Sequence, residues 1–149
     1  MMTDGGRVII ESGAIVDYVV RRHGGGRLQP DPATTAYDDY IQWLHYAEGS
    51  AMPPFLLKLY AGLLGDAAAS IVPRIDANIA KHLSYIDRSV DGRDYLLGSD
   101  VAAADPFVGE IAGSTDRAAY PKPDAWVRRC QSRPAYKRAL ERGGPYAFA

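Results

Sequence analysis

Residues 7–26 read RVIIESGAIVDYVVRRHGGG, and their order sets the fold: an apolar run, a carboxylate beside a hydroxyl, then a helical pattern without a spacer. Ala14, Ile15, Tyr18 and Val19 fall on one face at helical spacing, so a first helix is expected over residues 12–22. Arg21, Arg22 and His23 fill its last turn, where positive charge suits the carbonyl end of a helix, and Gly24-Gly25-Gly26 stops it. The preceding stub, MMTDGG, is polar with a turn signal at Asp4-Gly5-Gly6. Residues 7–10 can make one short strand, too little for a sheet of its own.

Downstream the pattern is helical almost throughout. A second helix starts near Thr34 or Thr35, where Thr35 and Asp38 resemble a capping box. Tyr37, Tyr40, Ile41, Leu44, Ala47 and Ala51 give it an apolar stripe as far as Met52, and the aromatic side chains read as core or interface before substrate pocket. Pro53-Pro54 is expected to break or kink it, because each proline removes a backbone donor and clashes with the preceding turn. A further apolar helical piece follows over residues 55–64. The clearest helix covers residues 70–90, with Ile71, Ile75, Ile79, Leu83, Ile86 and Val90 at steps of three and four, and Ser70 as its expected N-cap. Helices over residues 103–113, through Ala125–Cys130 after a loop holding Pro121 and Pro123, and over residues 134–142 complete the chain. Six or seven helices without an adequate sheet make a mainly α protein, a helical bundle.

Composition narrows the function. A chain of 149 residues is long enough for one real core. A net charge of −1 gives no electrostatic case for nucleic acid or an anionic membrane. No apolar run approaches the roughly 20 residues that span a bilayer, and MMTDGGR lacks the pattern of a signal peptide, so a cytoplasmic protein is the default. Cys130, the single cysteine, suits a reducing compartment and follows Arg128-Arg129, which can lower a thiol pKa. His23, His45 and His82 share no spacing that suits a metal, and no phosphate-cradling glycine motif or nucleophile elbow is present.

One corner has a physical claim to a ligand. The first N–H groups of a helix have no internal partners and sit at the positive end of its dipole, so an anion docks there readily. Ser12 can add a hydroxyl donor, Gly13 leaves room, and Glu11 can pair with an ammonium group. Together they suit the zwitterionic end of an α-amino acid. An ordinary serine N-cap beside a solvated glutamate fits the same residues.

The pattern strand-ES-x-A-I-x-x-Y, carried by Glu11, Ser12, Ala14, Ile15 and Tyr18, resembles the glutathione transferases. There it joins the last strand of a thioredoxin-like domain to its final helix, and the Glu and Ser hold the γ-glutamyl end of glutathione. WLHYAEGSAMPP (residues 43–54) resembles the first long helix of the family's helical domain, YLLGSDVAAAD (residues 95–105) its loop into the core helix, and RPAYKRALE (residues 133–141) its C-terminal run. The resemblance covers nearly the whole chain and is closest to bacterial cytosolic members. It implies residues 1–27 as a remnant of the thioredoxin-like glutathione-binding domain and residues 28–149 as the all-helical C-terminal domain. It also implies glutathione as co-substrate without a metal, a hydrophobic small molecule as second substrate, and a homodimer or self-associating chain.

Departures from the family sharpen these expectations. The core helix normally opens with Ser or Thr three residues before an Asp; here Ala102 stands there, and Pro106 follows Asp105, so a weakened helix is expected over residues 103–111. In bacterial members that use a cysteine, a helix-borne His assists; that position is Met52, while His45 lies nearer the tryptophan, and both are placed on the substrate-pocket side. The thiol-activating residue belongs to the part of the domain preceding this corner, so a truncated chain is expected. The alternatives are a non-catalytic helical binding or dimerisation module and a degenerate gene product.

Overall fold

Gly5 and Gly6 hold positive φ angles of 53° and 80°, the pairing that closes a tight hairpin. They join β1 (Met2–Asp4) to β2 (Arg7–Ile9) as an antiparallel pair, with Met2 opposite Ile9. The polar stub is therefore a strand, which its composition alone does not betray. In the computed structural model, residues 1–113 and 119–144 are described, with backbone only at residue 107 and residues 110–113.

The hairpin feeds α1 (Ser12–His23). Asp4 pins it there, accepting from the Tyr18 hydroxyl at 3.1 Å and meeting His23 Nε2 at 2.9 Å. The expected Ala14–Val19 face is not the packed one: Val16 and Val20 turn inward, and Val19 is 40% exposed. Gly13 lies against the second helix, where a Cβ would sit at an ordinary contact distance of 3.5 Å from the Leu44 carbonyl oxygen.

That second helix, α2 (Thr35–Tyr46), buries Tyr40, Trp43 and Leu44. Its aromatic stripe is core, with Trp43 stacked on Tyr85 and Tyr46 edge-on to both. No Thr35–Asp38 box forms. Thr34 is the N-cap without a side-chain cap bond, and its hydroxyl donates to the Asp31 carbonyl. Around Pro53-Pro54 the α-helix is interrupted as expected, but the coil does not end. A π-helical turn, Ala47–Ala51, widens the coil, Met52 N–H donates to the Ala47 carbonyl five residues back, and the prolines fall in the first turn of α3 (Met52–Leu64). Missing proline donors are tolerated in a first turn.

A 3-10 turn, Gly65–Ala68, leads to α4 (Val72–Ser89), whose buried Ile75, Ile79, Leu83 and Ile86 follow the expected stripe. Ser70 does not cap it; Ile71 takes that place, 44% exposed. The last described helices are α5 (Ala104–Gly113), α6 (Pro121–Ser132) and α7 (Pro134–Gly143). Pro121 and Pro123 lie inside the first turn of α6 and not in a loop before it. The fold is mainly α, and α1 shares its main core with α2, α5 and α6: Val20, Tyr40, Trp43, Val108 and Trp126 form one buried cluster. No helix among the described residues is long and apolar enough to cross a membrane.

The start of α5 has backbone partners although Ala102 supplies no hydroxyl cap. Asp105 is fully buried and reaches back to Ala102 N–H at 2.8 Å, the acidic half of a capping box. Ala103 N–H donates to the Leu28 carbonyl at 2.8 Å, which Leu28 presents by adopting a positive φ of 65°. Backbone from a distant loop thus supplies an acceptor for the first turn. The side chain of Phe107 lies outside the described atoms.

Candidate functional site

Between the start of α1 and the end of α2 lies an open cleft of about 530 Å³, lined by Glu11, Ser12, Asp17, His45 and Glu48 among others. Glu11 ends the hairpin arm with φ 69° and ψ 122°. A positive φ is uncommon for a residue with a Cβ, and such strain concentrates at ligand corners. The twist drops the chain straight from β2 into α1, with Ile15 N–H bonded to the Glu11 carbonyl at 2.9 Å.

Glu11 is the N-cap, and no side chain caps the first turn. Ser12 is therefore the first helical residue and not an ordinary serine cap. Its hydroxyl donates instead to Glu48 Oε1 at 3.0 Å, across 36 positions of sequence. The leading N–H groups of α1 are left to an incoming acceptor, at the end of the helix where negative charge is favoured.

Charge in the cleft is predominantly acidic. Asp17 is partly neutralised, with Arg21 Nε at 3.3 Å, and it accepts from the Tyr37 hydroxyl at 3.3 Å. Burial, with Asp17 adding to it, pushes the Tyr37 hydroxyl pKa up, so it stays a donor. Glu11 and Glu48 form no ion pair among the described residues, and His45 contributes an exposed imidazole. A site with leading helix N–H groups on one side and carboxylates on the other can hold an anionic and a cationic group together.

The structure thus brings Glu11, Ser12 and His45 to one cleft. It does not bring Met52, which packs half-buried against the main core. Glu48 and Gly49 were missed, although residues 44, 45, 48 and 49 share a face at helical spacing and His45 pointed to it. Cys130 is no reactive thiol: burial, seconded by Asp105, pushes its pKa up to about 12 against the pull of the adjacent arginines. Among the described residues no group of three or more His, Cys, Asp or Glu is gathered to hold a metal.

No protein-family model matches the chain. It is 25% identical to a glutathione S-transferase 3 of Schizosaccharomyces pombe, over 95% of this chain and 66% of that protein. It is 26% identical to a glutathione S-transferase 3 of Zea mays, over 93% of this chain and 68% of that protein. The chain therefore spans about two thirds of the length of the curated relatives it matches. Its fold superposes with a TM-score of 0.81 on a sphingomonad glutathione S-transferase complexed with glutathione, at 24% identity, covering 98% of this chain and 73% of that one.

Proposed function

We propose that the chain is a glutathione S-transferase family protein, as its similarity to two such proteins supports, and that its α1 corner is the γ-glutamyl subsite of a glutathione site. The ligand's α-carboxylate docks on the Ser12 hydroxyl and the leading N–H groups of α1, and its ammonium on Glu11. The carrying observation is the strained, uncapped Glu11-Ser12 turn opening directly on the cleft. In this reading residues 1–27 form the glutathione-binding edge and residues 28–149 the helical domain, with His45 on the side of a hydrophobic second substrate.

The activity that goes with the reading is attack of the glutathione thiolate on an electrophilic carbon, lowered in barrier by a donor at the sulfur. The reading assigns binding to Glu11 and Ser12 and gives no described residue the donor role. Titrating the chain with glutathione and assaying conjugation of a generic electrophile tests it. Saturable binding is the expected result, and turnover would extend the assignment to an enzyme. No heat of binding at millimolar glutathione would overturn it.

A second reading, a self-associating helical module of the cytoplasm, is favoured by one observation. Leu56, Leu59, Tyr60, Leu63 and Leu64 of α3 are 44–79% exposed, and Val8 and Ile10 about as open. Contiguous exposed apolar surface on this scale marks an interaction face. Sedimentation across a concentration series is expected to show a homodimer or larger species. A clean monomer at high concentration would remove this reading and leave the first intact.

A further inference from the structure

The geometry points to Glu48 as a specificity-determining residue that competes with the ligand's carboxylate for Ser12. This inference rests on the γ-glutamyl reading of the corner. A serine hydroxyl has one proton and can donate it to one strong acceptor at a time. Ser12 donates it to Glu48 Oε1, 3.0 Å away. The Glu48 carboxylate therefore stands where an incoming carboxylate must stand.

Local structure makes the placement specific. Glu48 belongs to the π-helical turn Ala47–Ala51, where the extra residue per turn re-aims the side chains that follow α2, and such turns recur at functional sites. Ala47 and Ala51, on either side, are buried, so the backbone that carries Glu48 is fixed while its side chain is exposed and free to swing. Gly49 beside it leaves open space. No cation among the described residues neutralises Glu48, so a carboxylate arriving at Ser12 meets its charge at close range.

Two consequences follow for the ligand. Entry requires Glu48 to leave Ser12, which weakens every carboxylate ligand alike. Once displaced, Glu48 remains beside Glu11 at an acidic rim, which favours a ligand that carries a free ammonium next to its carboxylate. An α-amino acid end offsets the first cost with the second gain; the same molecule with its amine removed meets the cost without the gain.

The test is calorimetric titration of the full chain and of its Glu48→Gln and Glu48→Ala variants with glutathione and with its deaminated analogue, glutaryl-cysteinyl-glycine. Glu48→Gln keeps the shape but turns a charge-assisted bond into a neutral one, roughly half as strong. The expected result is about a fivefold gain in glutathione affinity, shrinking at high salt, and a larger gain for the deaminated analogue. Glu48→Ala, which cannot hold Ser12 at all, is expected to gain at least as much. Equal affinities in all three proteins, or weaker binding by both variants, would overturn the role given to Glu48 and leave the glutathione reading standing. Absence of binding in all three would overturn both.

Discussion

Replacing Asp105 by alanine is expected to cost about 3–5 kcal/mol of stability and to lower the melting temperature by about 10 °C. The carboxylate is fully buried and takes three N–H donors: Leu96 N and Trp126 Nε1 on Oδ1 at 2.8 and 2.9 Å, and Ala102 N on Oδ2 at 2.8 Å. Truncation leaves all three donors without a partner in a site that water does not reach, and an unmade buried hydrogen bond costs far more than a made one yields. Those donors come from both ends of the loop before α5, at Leu96 and Ala102, and from the middle of α6, so the loop and two helices lose their common point. Asparagine should recover only part of the loss, because its amide nitrogen opposes one of the backbone N–H groups. A thermal melt within 2 °C of the parent would refute this role.

The acid response of the same group has an unusual sign. Burial, the largest influence, raises its pKa above the ordinary aspartate value of 3.8, although the three hydrogen bonds and Arg133 pull it down. The folded state thus binds this proton more tightly than the unfolded chain. Its contribution is fully present below about pH 3.8 and is lost as pH rises through the raised value. Melting curves of the Asp105→Asn variant across the acid range should lack this component of slope.

The helical bundle was legible because its stripes are long. Ile75, Ile79, Leu83 and Ile86 repeat through about three turns, and no other periodicity fits them. The corner was legible for a different reason: its residue types carry a chemistry, and the spacing from Glu11 to Tyr18 matches a family pattern. What stayed hidden were features set by partners far along the chain. Met2–Asp4 has no strand signal of its own and becomes a strand only because Arg7–Ile9 lies beside it. The phase of α1 is hidden because Ala14, Ile15, Tyr18 and Val19 make as good an apolar face as Val16 and Val20, and only the core they meet chooses between them. Ala102 looked like a lost cap because the carbonyl of Leu28 was not visible as a substitute acceptor for the adjacent N–H. Pro53-Pro54 alone does not reveal how the helix is interrupted, because nothing in AEGSA signals a π-turn, and that turn carries Glu48.

Replacing Ser12 by alanine is expected to weaken glutathione binding by about tenfold, with stability changed by less than about 0.5 kcal/mol. The hydroxyl is exposed and holds nothing of the core, so its removal should not disturb the fold. A hydrogen bond to a charged group is worth about 1.5–3 kcal/mol, or one to two powers of ten in affinity. The lower figure applies here, since forming that bond with a ligand means giving up the one with Glu48. The remaining affinity comes from the leading N–H groups of α1 and from Glu11, which alanine at position 12 leaves in place. The two substitutions must also be coupled. Glu48→Gln strengthens binding by relieving Ser12, so in the Ser12→Ala background most of that gain should vanish, a non-additivity that sites without contact do not show. Calorimetry on the four proteins of the cycle measures it. Equal affinities for the parent and Ser12→Ala would take the ligand's carboxylate away from this corner.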